Sequence, residues 1–217
     1  FIATGRSPAE TRDIMESANI HSGIFMNGQV VLYQGERVYS LEIPTETVER
    51  FHQMVKEDGY GLTAYNDKEF YLVESSAGAK DAYGFIHTNP PALNADFYKE
   101  NPINMMLFIS LPPAEEKYKV AFPNLDFLRN TPYSVDVISK GNSKAEGIKR
   151  FLEHLNQEDA ETYAFGDGPN DIEMLQAVTH PVAMGNALPV LKEIAEFITT
   201  NNTDNGIVNG LKHYGLI

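Results

Sequence analysis

The sequence predicts an α/β protein: a doubly wound parallel sheet built from both ends of the chain, with an α+β module inserted between them. Three observations carry this reading. Short apolar runs alternate with amphipathic helical stretches near the N-terminus and again after Gly141. Helices in both parts open on the same signature, Ser7-Pro8-Ala9-Glu10 and Ser143-Lys144-Ala145-Glu146, in which a Ser cap is followed three residues later by Glu. Between these parts the pattern shifts to strands with few helices, as expected of a separate α+β unit.

In chain order, Phe1-Ile2-Ala3 reads as the end of a buried strand and Thr4-Gly5-Arg6 as a turn. Ser7 caps a helix to about Ala18, with Pro8 at its first position. Ile24-Phe25-Met26 is a short strand ending at the turn dipeptide Asn27-Gly28. Val30 to Tyr33 and Arg37 to Leu41 flank Gln34-Gly35-Glu36 as a hairpin. Thr45 to Lys56 has helical spacing, with Val48, Phe51, His52 and Val55 on one face. Strands follow at Gly61 to Tyr65, Phe70 to Val73, Asn104 to Ser110 and Tyr133 to Ile138, with a helix at Ala114 to Phe122. After Ser143, a helix with Ile148, Phe151, Leu152 and Leu155 on its apolar face precedes a strand at Tyr163 to Phe165. Helix, strand, helix, strand end and helix then run to about Val178, Met184, Phe197, Thr200 and Tyr214.

Composition bounds the function. The chain has 217 residues, enough to bury a substantial core. It has no Cys, hence no disulfide and no thiolate chemistry, which fits a reducing cytoplasm. No apolar run is long enough to span a bilayer, so no membrane partner is expected. The net charge of -13 would repel a phosphate backbone, so no nucleic acid is expected either. An anionic substrate would need a local positive field from a metal, a Lys or helix N-termini.

The chemistry concentrates in Gly166 to Leu175, GDGPNDIEML. Asp167, Asn170 and Asp171 stand on a Gly/Pro turn between a strand and a helical run, at the sheet edge where α/β proteins bind ligands. Carboxylate oxygens there suit Mg²⁺, with Asp167 and Asp171 as the candidate metal residues and Asn170 as a donor to a phosphoryl oxygen. An Asn N-cap partnered by Glu173 fits the same spacing. Thr4 and Gly5 end a strand just before a helix N-terminus, a ready phosphate site, although a plain turn and cap is the commoner use of Thr-Gly. Lys144 sits at a helix start, against the dipole preference for acids, as a cation serving a ligand would, although a solvated surface Lys is the commoner case. Asn27 and Asn186 end strands on the same edge, where turn geometry is the better explanation of both. The six His residues show no metal-ligand spacing.

IATGR (Ile2 to Arg6), NSKAEGIKRFL (Asn142 to Leu152), FGDGPNDIEML (Phe165 to Leu175), VAMGNA (Val182 to Ala187) and TTNNTDNGIVNGL (Thr199 to Leu211) occur in that order. Together they resemble the haloacid dehalogenase superfamily of phosphatases, in its Cof-type sugar-phosphatase branch. The resemblance implies a Rossmann-like core from residues 1–38 and 136–217 and an α/β cap domain at 39–135. It implies Mg²⁺-dependent hydrolysis of a small phosphorylated metabolite, with a sugar phosphate expected, by a cytoplasmic monomer or homodimer. Thr4 and Lys144 then match the catalytic hydroxyl and lysine; Thr4, Gly5, Lys144, Asn170 and Asn27 are expected at the phosphate; Asp167 and Asp171 match the metal acids. A phosphomutase of the same superfamily, or a dead phosphate- or metal-binding fragment, are the alternatives.

One family motif is missing. The nucleophilic Asp of the D-x-D-G-T strand does not precede Ile2, and Asp13, Asp58, Asp67, Asp81 and Asp126 all lack the strand and trailing Gly-Thr. The expectation is an upstream segment of about 30 residues, the size of a βα unit. Intact mass tests it: the 217 residues amount to 24.2 kDa, and a mass larger by roughly 3–5 kDa is expected. A mass equal to that of the 217 residues would leave the protein without the expected nucleophile.

Overall fold

The computed structural model describes Phe1–Ile217, the side chain of Asn130 excepted. The chain folds as two units, Phe1–Asn142 and Ser143–Ile217. In the first, β1 (Ile2–Ala3) pairs in parallel with β2 (Gly23–Phe25). Antiparallel β3 (Val30–Tyr33) and β4 (Glu36–Ser40) complete a sheet of order β1-β2-β3-β4. Helix α1 (Pro8–Ser17) starts on the expected capping box. Ser7 Oγ accepts from Glu10 N at 3.3 Å and Glu10 Oε2 accepts from Ser7 N at 2.8 Å, so two otherwise orphaned donors are satisfied reciprocally.

The rest of this unit is a five-stranded antiparallel sheet. Its elements are α2 (Thr45–Asp58), β5 (Gly61–Tyr65), β6 (Phe70–Glu74), α3 (Ala79–Phe85), α4 (Phe97–Glu100), β7 (Met105–Ile109), α5 (Glu115–Ala121), β8 (Leu125–Thr131) and β9 (Ser134–Ser139). The strand order is β6-β5-β7-β9-β8. The apolar face of α2 packs as its spacing predicts: Val48, Phe51 and Val55 are buried with Phe108, Tyr118 and Phe122. Phe51 meets Phe108 edge-on at 5.7 Å and 88°, the geometry that aromatic quadrupoles favour. His52, on the edge of that face, is half-buried and bonded instead to Glu74 and Tyr98. A second cluster of Phe25, Met26 and Val30 with Tyr65, Met105 and Ile138 joins the two sheets.

The second unit, Ser143–Ile217, contains α6 (Lys144–Leu155), β10 (Tyr163–Gly166), α7 (Ile172–Ala177), β11 (His180–Ala183), α8 (Pro189–Ile194), β12 (Phe197–Ile198) and α9 (Gly206–His213). Its three strands are all parallel, in the order β10-β11-β12, with Tyr163 opposite His180 and Gly166 opposite Ala183. The α/β class therefore holds. The parallel strands fall in two sheets, one per unit, and β1 and β10 are edge strands of their sheets. No helix among the described residues is long and apolar enough to cross a membrane.

Local corrections have local causes. Met26 leaves β2 for a 3-10 turn (Met26–Gly28), in which Met26 and Asn27 take φ of 50° and 54°. The expected helix to Phe197 stops at Ile194, because Ala195 is extended and Phe197 begins β12. Ser143 caps α6, but Glu146 turns its carboxylate to Arg150 at 2.8 Å, so half of the second capping box forms.

Arg129 in β8 ties three segments together. It donates to both oxygens of buried Glu115 at 2.6 Å and to the carbonyls of Ser110, Thr131 and Pro132. The Arg129 guanidinium holds the Glu115 carboxyl below its ordinary range. A lowered carboxylate pKa contributes stability that is present above the unfolded value of about 4.3 and lost as pH falls through the folded-state value. Arg129→Ala, which strands Glu115, is expected to cost about 3 kcal/mol at pH 7 in urea unfolding. The deficit should shrink at pH 4 and below, and an equal deficit at both pH values would exclude the ion pair as its source.

Candidate active site

The acidic loop is built around one carboxylate. Strand β10 ends at Gly166, and the chain turns through the 3-10 segment Pro169–Asp171 into α7. Asp171 is 5 % exposed and points back into the loop. Its Oδ2 accepts from Asp167 N at 2.9 Å and Gly168 N at 3.0 Å, and its Oδ1 accepts from Lys144 Nζ at 2.6 Å. A Cβ on Gly166 would lie 2.7 Å from Asp171 Cβ, so only glycine lets the strand end approach this side chain. Lys144 is the first residue of α6 and is itself 6 % exposed. Its position against the helix dipole is compensated by the Asp171 pair.

Asp167 is exposed at the end of β10. Its Oδ2 accepts from Asn186 Nδ2 at 2.7 Å, while its backbone carbonyl accepts from Leu188 N at 3.1 Å. Asn186 is anchored in turn, its Oδ1 accepting from Asn202 N at 3.0 Å. Asn170 is half-exposed in the 3-10 turn, with its Oδ1 3.2 Å from where a Gly168 Cβ would stand. The loop is closed by Asp171 accepting from Gly168 N, not by an Asn170–Glu173 cap.

Thr4, Gly5 and Asn27 gather in the first unit. Thr4 Oγ1 accepts from Arg6 N at 3.1 Å, and the Thr4 carbonyl accepts from Asn27 N at 3.1 Å. Gly5 N–H has no partner among the described residues, whereas the Ser7 and Glu10 N–H groups at the start of α1 are taken by its capping box. Asn27 is 1 % exposed, and its Nδ2 donates to Asp136 Oδ2 at 3.0 Å. The seven predicted residues thus fall into two groups, one in each unit. Two residues outside the predicted set hold them in place: Asn186, placed on the same edge but read chiefly as a turn residue, and Asp136, a lone acid inside the apolar strand β9 whose signal was its place between Val135 and Val137.

The donor set at Asp167 fits Mg²⁺. One carboxylate oxygen is oriented by Asn186, and Oδ1 has no partner among the described residues. Among the described residues no three His, Cys, Asp or Glu converge on one point. Mg²⁺ commonly takes only one or two protein carboxylates and fills its octahedron with water and phosphate oxygens. Asp171 differs from the expected ligand in that both its oxygens are occupied.

The family model of haloacid dehalogenase-like hydrolases matches residues 1–211. The chain belongs to this family. Its relatives include a Bacillus subtilis (strain 168) protein named "Putative phosphatase YkrA", 37 % identical over 218 residues that cover 100 % of this chain and 84 % of the relative. Among solved structures, one from Geobacillus kaustophilus HTA426 has a TM-score of 0.92 at 32 % identity, covering 99 % of this chain and 84 % of the other. The sugar phosphatase BT4131 of haloacid dehalogenase subclass IIB has a TM-score of 0.85 at 28 % identity, covering 100 % and 85 %. These relatives put the chain among the Cof-type phosphatases, which share the Rossmann-like core with a cap.

Lys144→Met is expected to cost about 3–5 kcal/mol in urea unfolding, because it leaves Asp171 buried and unpaired. A loss below about 1 kcal/mol, the scale of an exposed pair, would mean that water replaces the lysine.

Proposed function

We propose that the protein is a Mg²⁺-dependent phosphomonoesterase acting on a small sugar phosphate in the cytoplasm. The observation that carries this reading is the buried Lys144–Asp171 pair at 2.6 Å, which fixes the loop that presents Asp167 at the carboxyl end of β10. Asp167 is the metal-holding carboxylate and Asn186 sets its rotamer. Asp171 acts through the loop and Lys144. Mg²⁺ bound at Asp167 would offset negative charge on the phosphoryl oxygens.

The chain's other groups have stated tasks in this reading. The Gly5 N–H and the Thr4 hydroxyl hold the phosphoryl group as neutral donors. Lys144 presents its remaining N–H donors toward the ester while its charge is balanced by Asp171. Asn170 donates to a phosphoryl oxygen. The covalent step in this reading is attack of an aspartate carboxylate on phosphorus, which breaks the P–O ester bond, releases the sugar hydroxyl and leaves an aspartyl-phosphate that water hydrolyses to inorganic phosphate; the D-x-D-G-T stretch of that aspartate does not occur in these 217 residues. Residues 1–38 and 136–217 form the core in this proposal, and 39–135 form the cap that excludes water and selects the sugar.

The test is a panel of sugar phosphates assayed for phosphate release with and without Mg²⁺. Protein that includes the nucleophilic aspartate is expected to turn over at least one of them, to stop in excess EDTA and to recover with added Mg²⁺. Asp167→Asn is expected to lower kcat by about 10²-fold or more, the scale of losing one electrostatic stabiliser, with little change in thermal stability. Full activity of Asp167→Asn, or turnover that EDTA leaves untouched, would remove Asp167 from the metal role.

A further inference from the structure

We infer that Asp136 is a positioning residue for the phosphate turn, and that Asn27 serves that turn as its internal support and not as a substrate contact. This rests on the phosphatase reading above for its catalytic consequence, though not for its geometry.

Asp136 lies in the middle of β9, between Val135 and Val137, which are fully buried in the aromatic core. Acids are depleted inside strands, and Asp136, part-buried on the face opposite those valines, loses solvation there unless it is hydrogen-bonded. Asp136 meets that condition through a side chain 109 positions away, with Oδ2 accepting from Asn27 Nδ2 at 3.0 Å. Asn27 is held in the left-handed region at φ 54° and is almost wholly buried. An amide that is 1 % exposed and spends a donor on Asp136 is poorly placed to meet a ligand.

The pair touches one further residue of interest. A Cβ on Gly5 would stand 3.2 Å from Asn27 Nδ2, 3.2 Å from Asn27 Oδ1 and 3.2 Å from Asp136 Oδ2. Gly5 therefore rests flat against the Asn27–Asp136 hydrogen bond. The backbone laces the same two loops together through Asn27 N to Thr4 O at 3.1 Å and Met26 N to Arg6 O at 3.0 Å. These bonds set the distance between the loops. The directional side-chain pair sets the plane on which Gly5 lies, and hence where its unpartnered N–H points. A donor that must meet a phosphoryl oxygen gains from being fixed beforehand, since small misplacements of such groups cost large factors in rate.

The experiment uses the purified protein with the best substrate of the panel and, separately, inorganic phosphate followed at the Gly5 amide by NMR. Asp136→Ala is expected to lower kcat at least 10-fold with KM changed less than threefold, and to weaken phosphate binding at Gly5 at least fivefold. Asp136→Asn keeps an acceptor oxygen and should stay within threefold of wild type in both readouts. Asn27→Asp should lose activity by facing Asp136 with a second carboxylate, and adding Asp136→Asn should restore it by reversing donor and acceptor. If Asp136→Ala does not fold, Asn27→Gly, which tolerates φ 54°, is expected to show the same losses.

The inference is overturned if Asp136→Ala leaves kcat and phosphate binding within twofold of wild type. It is also overturned if Asp136→Asn is as damaged as Asp136→Ala, with losses that track melting temperature. A wild-type protein inactive on every sugar phosphate, yet with a Gly5 amide that titrates and depends on Asp136, would sink the sugar-phosphatase reading and leave this one standing.

Discussion

The buried ion pair between Lys144 and Asp171 governs the second unit. Two opposite charges 2.6 Å apart, each nearly sealed from water, gain little net stability, because desolvation consumes most of the attraction. What such a pair supplies is direction. Asp171 can satisfy Lys144 only while its other oxygen faces the N–H groups of Asp167 and Gly168, and that fixes the backbone of the loop. Gly166 is the steric counterpart, since any larger residue would push Asp171 away from all three donors. The start of α6, the end of β10 and the entry to α7 are thereby held by one carboxylate.

The first unit solves a similar problem with different means. Its five-stranded sheet packs α2 and α5 through interlocking aromatic rings, so the cluster of Phe51, Phe108 and Tyr118 is rigid and dry. That rigidity is what lets β9 carry a carboxylate to a defined point. At the other end of the contact, three consecutive left-handed residues, Met26, Asn27 and Gly28, make a turn that propensity alone would not sustain. It persists because tertiary bonds to Thr4 and Arg6 over-determine it. Strain of this kind is affordable only where the surrounding structure is already fixed.

How much of this was legible in the sequence depends on the range of the interaction. Helix starts were legible because capping is local: Ser7 and Glu10 act across three residues and form as the spacing predicts. Lys144 was legible as an anomaly, a cation where the dipole favours an acid. Its partner was not, because Asp171 lies 27 residues on and also suited a metal. Helix α3 was missed because its buried side is largely alanine and its interior holds Gly84, which blurs the helical signal. Strand β8 was missed because Arg129 sits where an apolar residue would mark the pattern, and its bidentate pairing with Glu115 is visible only in three dimensions. Asp136 was passed over for the same reason: alternation reveals that a strand has two faces, but not what an acid on one of them meets.

Charge shows why the proposed chemistry calls for a divalent cation. The chain carries 30 acids against 17 Lys and Arg, so an approaching phosphate ester meets a repulsive surface. Screening over about 8 Å at physiological salt leaves the outcome to the nearest groups. In the acidic loop Lys144 is matched by Asp171, which leaves the single negative charge of Asp167 facing solvent. A loop so charged repels a dianionic ester until a cation reverses its sign. In the proposed reaction Asp167 would hold a cation that offsets this charge, and Lys144, already balanced, contributes aligned N–H donors more than net charge.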